Sequence, residues 1–108
     1  MPEYLIWTTA DQCGWPAIPK NLIPDVLAPD GYEAVRIDGP GDLRLALGRC
    51  EMVFSSEPAG WRVWFEGDIS GHDTGALVSQ TARQIHRFTG ETIKWILRDR
   101  ARSGRTIS

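Results

Sequence analysis

The sequence predicts a two-layer α+β fold, a mixed but mostly antiparallel sheet of five or six strands packed on one long helix in the C-terminal half. Three observations carry this. Residues 73–90 fit one amphipathic helix: Leu77, Val78, Thr81, Ala82, Ile85 and Phe88 recur at steps of three and four, with Asp73 at the N-cap position and Gly90 at the C-cap. Upstream of it, short runs of β-branched and aromatic residues are joined by turn sequences, which is hairpin chemistry. Downstream, residues 92–99 alternate again, so a strand, the helix and a strand form a β-α-β succession long enough for a right-handed crossover. One helix covers one side of a sheet, hence two layers.

Taken in order, Glu3 to Thr9 read as the first strand, closed by the turn signal Cys13-Gly14-Trp15-Pro16. Residues 10–31 carry Pro16, Pro19, Pro24 and Pro29, which remove too many backbone donors for a long helix or a central strand. An ordered loop with a short helical turn near Asn21 to Leu27 is expected, wrapping the core with Trp15, Ile18, Leu22, Ile23, Val26 and Leu27. Tyr32–Ile37 and Leu43–Leu47 alternate around the turn Asp38-Gly39-Pro40-Gly41-Asp42 and form a first hairpin, although Asp42 could equally cap a two-turn helix over 43–49. Residues 50–55 and 61–67 form a second hairpin across Glu57-Pro58-Ala59-Gly60. The last strand spans 92–99.

Composition bounds the function classes. A chain of 108 residues with 42% hydrophobic and 24% charged residues supports one core, so one domain over 1–100 is expected, with 101–108 a flexible tail. No apolar run reaches the roughly eighteen residues a membrane span needs, and Met1-Pro2-Glu3-Tyr4 lacks the basic start of a secretory signal. A cytoplasmic location without a membrane partner is the expectation. Cys13 and Cys50 have no second Cys or His nearby, which favours free thiols over a metal or redox site.

Five tryptophans, Trp7, Trp15, Trp61, Trp64 and Trp95, exceed ordinary usage. In the second hairpin Trp61, Val63 and Phe65 share one face while Arg62, Trp64 and Glu66 share the other; in the last strand Ile93, Trp95 and Leu97 oppose Lys94, Ile96 and Arg98. If the first sets meet the helix, Trp64 and Ile96 flanked by Arg62, Lys94 and Arg98 form an aromatic and basic surface of the kind found at interfaces. Alternatively, the proline-rich segment folds over that face and buries it.

Charge is uneven. Residues 1–75 hold twelve acids against five bases, and residues 76–108 two acids against seven bases, within a total of -2. Such polarity can steer a charged partner, although Arg83 and Arg87 also suit the solvated face of a helix near its C-terminus. The segment Glu66 to Asp73 gathers Glu66, Asp68, His72 and Asp73 at a strand end, but fits no calcium loop or zinc spacing, and Asp68 and Asp73 serve as turn and cap residues. His86, beside the apolar stripe, reads as a surface residue. No GxxxxGK[ST], GxSxG or CxxC occurs, and Gly39-Pro40-Gly41 lacks the third glycine of a dinucleotide loop. No catalytic residue, cofactor or metal is expected.

In size, acidic body, tryptophan content and hairpin-helix-strand ending, the chain resembles the small immunity proteins that bacteria pair with secreted toxins, and small phage-encoded inhibitors. The resemblance is one of type and transfers no functional residues; a bias to Arg, Asp, Gly and Ala agrees with a bacterial or phage source. It implies a protein-binding protein, an inhibitor or immunity-type partner that docks on and blocks another protein such as a basic, nuclease-type toxin. Trp61 and Trp64 are the expected anchors, with Glu66, Asp68 and Asp73 as the acidic patch. The alternative is a nucleic-acid-binding module in which Arg83, Arg87, Lys94, Arg98, Arg100, Arg102 and Arg105 contact phosphates while Trp64 or Trp95 stacks on bases. A homodimer is also admitted.

Overall fold

The computed structural model describes residues 3–10 and 14–98. Six strands form one sheet: β1 (Glu3–Thr8), β2 (Val35–Ile37), β3 (Leu43–Leu47), β4 (Cys50–Glu57), β5 (Gly60–Gly67) and β6 (Ile93–Arg98), in the spatial order β2-β3-β4-β5-β1-β6. The two expected hairpins are present, although the first strand of the first one is confined to Val35–Ile37 and not the expected Tyr32–Ile37. Leu43–Leu47 is a strand, and Glu57 pairs with Gly60, leaving a two-residue turn at Pro58-Ala59. Gly60 has φ +145°, and a Cβ there would come within 2.4 Å of the Ile6 carbonyl oxygen, so the start of β5 approaches β1 as only glycine allows.

The helix, α2 (Gly71–Thr89), has its N-cap three residues earlier than the sequence suggests. Its cap is Ser70, whose hydroxyl accepts from the Asp73 N–H, while Asp73 supplies a negative charge in the first turn. Gly90 closes the helix at φ +74°. Phe88, expected in the apolar stripe, is exposed; Gln84, polar and unremarked in the pattern, is buried.

The sheet is antiparallel throughout rather than mixed. The β5-α2-β6 connection does return β6 in the direction of β5, but β1 is inserted between them and pairs antiparallel with both, Ile6 lying opposite Trp61 on one side and Trp95 on the other. The core lies on the α2 side of the sheet, where Tyr4, Ile6, Met52, Phe54, Val63 and Phe65 meet Leu77, Val78 and Ile85. There the Tyr4 hydroxyl shares a 2.5 Å hydrogen bond with Thr74 Oγ1, which removes an otherwise buried unpaired group.

The proline-rich segment lies on this same side, beside α2. A 3₁₀ turn at Lys20–Leu22 runs into α1 (Ile23–Leu27), with Pro24 in the first turn and Leu27 wholly buried. It therefore completes the helix layer and leaves the opposite face of the sheet without one. Gln84 is the fastening. Its amide donates to the Val26 and Ala28 carbonyls at 2.9 and 2.8 Å and accepts from the Asp30 N–H at 2.8 Å, while Gln80 donates to the Asp30 carbonyl. Four polar groups of an element with few internal hydrogen bonds are satisfied by two side chains of α2.

Truncating this clamp leaves partly buried carbonyls unpaired. Gln84→Ala is expected to lower stability by about 1–3 kcal/mol in urea denaturation; a loss of a few tenths would mean that the segment is held by apolar packing alone.

Candidate functional site

Strand alternation separates the expected anchors. Trp61 lies on the α2 side, partly buried, and Trp64 on the outer face. Glu66 shares the outer face with Trp64, whereas Asp68 and Asp73 lie beyond the other end of β5 from Trp61. The five residues do not form one patch.

The outer face is instead an array of satisfied charges. Arg44, with 7% of its side chain exposed, lies between Glu51 and Glu66 and bonds both, 3.1 Å from Glu66 Oε1. Trp64 donates its indole N–H to Glu66 at 3.1 Å, and the Arg62 guanidinium stacks 4.4 Å over the Trp64 ring. At the β1 end, Glu3 is nearly buried and receives Arg98 at 2.8 Å, while Arg98 also donates to Glu57 at 3.2 Å. Arg62 Nε lies 3.1 Å from Glu3 Oε1 but off the hydrogen-bonding direction, held by charge and by its stack on Trp64. The turn at 38–42 folds over the β3–β5 part of this face; a Cβ on Gly41, at φ +100°, would come within 2.7 Å of Val53 Cγ1. Trp64 is thereby half-buried between Arg62, Glu66 and this turn, and of the expected aromatic and basic surface Arg62 and Arg98 are paired with Glu3 and Glu57 while Lys94 is exposed.

The expected phosphate-binding set is likewise divided. Arg83 and Arg87 project from α2, Arg87 pairing with Asp30 at 3.3 Å, while Lys94 and Arg98 stand on the opposite side of the sheet. Arg100, Arg102 and Arg105, with the rest of the expected tail at 101–108, lie outside the described residues, as does Cys13. Cys50 is a buried free thiol whose pKa is pushed up by burial, then by the Asp68 and Glu51 charges. In the 66–73 segment Glu66 turns to Arg44, Asp68 pairs with Arg49 at 3.8 Å and Ser70 caps α2. Among the described residues no three His, Cys, Asp or Glu side chains are grouped to hold a metal ion. No described helix is long and apolar enough to cross a membrane.

Two features remain that composition could not assemble. The first is the free edge of β6: it pairs with β1 on one side, and among the described residues no strand pairs on its other side. There Trp95, Ile96 and Leu97 are 36%, 46% and 58% exposed in succession. The second is a cleft of about 500 Å³ between the proline-rich segment and the sheet, walled by Trp15 and Trp61. Trp15 is held in place by its indole N–H, which donates to the Glu57 carbonyl. The sequence exposes both indoles as apolar residues near turns, but only the tertiary packing brings them together.

Hydrogen bonds from Arg44, and next from Trp64, hold the Glu66 carboxyl below its usual range. A depressed carboxyl stabilises the fold above the ordinary glutamate value of about 4.3, and that contribution is lost as the pH falls through the lower folded-state value. With 51% of the Glu66 side chain exposed the contribution is small. Glu66→Gln is expected to be slightly less stable than the wild type at neutral pH in urea titrations, with the gap closing in acid; a gap that ignores pH would show that the carboxylate charge plays no part. No protein-family model, no curated protein and no solved structure matches the chain, so its function is read from these surfaces alone.

Proposed function

We propose that the chain is a binding protein that recruits a partner protein by strand addition along β6. The supporting observation is the exposed run Trp95-Ile96-Leu97 on an edge strand. Single exposed apolar residues are ordinary on protein surfaces, but a contiguous run beside unpaired backbone donors and acceptors is a template for another extended chain. Backbone hydrogen bonds then supply affinity and alternate side chains supply selectivity.

The strand specifies its complement. Trp95 and Leu97 stand on the α2 side and Ile96 on the outer face, so the incoming segment needs apolar residues on both of its faces. Lys94, exposed on the outer face, penalises indiscriminate pairing and favours a segment with an acid opposite it.

This retains a protein partner but moves recognition away from Trp61, Trp64 and Glu66. Glu66 is bonded by Arg44 and by the Trp64 indole N–H, and Trp64 lies beneath Arg62, so neither offers an unbonded group to a partner. In its finer form the reading is an inhibitor or immunity-type role, in which the captured protein is blocked. Asp73, and Asp68 in its long, exposed pair with Arg49, are the residues left to meet a basic one.

Selection of a displayed peptide library on the wild-type chain, with Ile96→Lys/Leu97→Lys as the counter-bait, tests this. Enriched extended peptides with apolar residues on both faces, which fail to bind a folded Lys/Lys variant, are the expected result. No enrichment, or enriched peptides that bind both proteins equally, would contradict it. A concentration-dependent dimer in sedimentation velocity, abolished by the same substitutions, would assign the edge to a second copy instead.

A further inference from the structure

We propose that the cleft between the proline-rich segment and the sheet is a binding site for a small organic monoanion with a flat apolar body, such as an aromatic carboxylate. This is independent of the β6 edge, which lies across the sheet.

The volume of about 500 Å³ is that of a small-molecule site, and its lining has the expected composition, mostly apolar with a few polar groups. Trp15 and Trp61 supply aromatic walls, and Ile18, Ile23 and Leu43 the remaining apolar surface. Trp15 cannot simply collapse to fill the space, because its indole N–H is bonded to the Glu57 carbonyl. Pro16 and Pro24, also in the lining, stiffen the segment that forms the outer wall.

The charge of the cleft sets the charge of its occupant. Lys20 and Arg36 both line it, and the side chain of neither forms a salt bridge or hydrogen bond among the described residues, whereas the outer-face arginines Arg44, Arg62 and Arg98 all face carboxylates. Arg36 reaches the cleft because it faces the α2 side of β2, opposite Leu45. The one carboxylate in the lining, Asp42, has Oδ2 occupied by the Ser56 N–H at 2.6 Å and the Ser56 hydroxyl at 2.9 Å, with no ion pair to either cation. Two cations and one anion leave a single positive charge, matched by a monoanion. A guanidinium can grip a carboxylate through two parallel hydrogen bonds, with the Lys20 ammonium as a second donor. Asp42 Oδ1 is left to accept from a donor on the ligand.

The probe pair is 2-naphthoate and its uncharged counterpart 2-naphthalenemethanol, titrated by calorimetry and by ¹H–¹⁵N spectra of the indole N–H groups. The expected result is saturable binding of 2-naphthoate that shifts the Trp15 and Trp61 indole signals and leaves those of Trp64 and Trp95 in place. The alcohol is expected to bind at least about tenfold more weakly, the loss of one charge-assisted hydrogen bond. Lys20→Ala and Arg36→Ala, both at exposed positions that tolerate substitution, should each weaken naphthoate but not the alcohol. Equal affinity for the two probes, shifts spread over all the indoles, or naphthoate binding unchanged in both variants would overturn the proposal, as would no binding at millimolar concentration.

Discussion

A sheet of six strands is wider than one helix. Five spacings of about 4.8 Å span roughly 24 Å, against a helix diameter of about 10 Å. α2 cannot cover that width, and the apolar residues of β3, β4 and β5 on its side would face water if nothing else did. The proline-rich segment meets this requirement, bringing Leu27, Ile23 and Val26 onto the sheet beside α2. Prolines suit the task because a segment that cannot form a strand or a long helix can follow the core closely without offering a rival pairing edge. Its remaining polar groups then need partners, and Gln84 and Gln80 provide them. The two candidate sites are the margins of this arrangement: β6 is the outermost strand on the flank of the sheet that α2 covers, and the cleft opens where the segment and the sheet fail to meet.

The charge polarity along the sequence folds back on itself. β1 pairs with β6, which sets Glu3 of the acidic part against Arg98 of the basic part, and the helix layer sets Asp30 against Arg87. Among the described residues, Arg87 and Arg98 of the basic part are thus paired locally with acids of the other part. The pairs on the outer face share their arginines, Arg44 with two glutamates and Arg98 with two more, and keep that face polar without a covering layer. Truncating Arg44 would therefore leave two glutamates facing each other across β4 and β5, where Glu51 is directly opposite Glu66.

Local chemistry made most elements legible. Alternation at 61–67 and 92–99, the Glu57-Pro58-Ala59-Gly60 turn and the Gly90 cap each act within a few residues, and the structure has strands at Gly60–Gly67 and Ile93–Arg98, a turn at Pro58-Ala59 and the cap at Gly90. Strand order was not legible, because the insertion of β1 between β5 and β6 is a long-range choice and alternation is blind to the neighbour. The side taken by the proline-rich segment was equally hidden, since prolines state which elements are forbidden and not where the chain packs. Gln84 resembles any polar helix residue in sequence; its burial follows from the carbonyls of α1 that end above it. Alternation places Trp61 and Trp64, the expected anchors, on opposite faces, and that is why they cannot act together.

A free outer edge on β6 is the condition most directly open to measurement, by amide hydrogen exchange of the wild-type chain. In a strand paired on one side only, alternate N–H groups point away from the sheet, so protection should alternate along Ile93–Arg98, fast-exchanging amides interleaved with slow ones bonded to β1. Uniform slow exchange along the strand in a monomeric sample would contradict a free edge and the strand-addition reading with it.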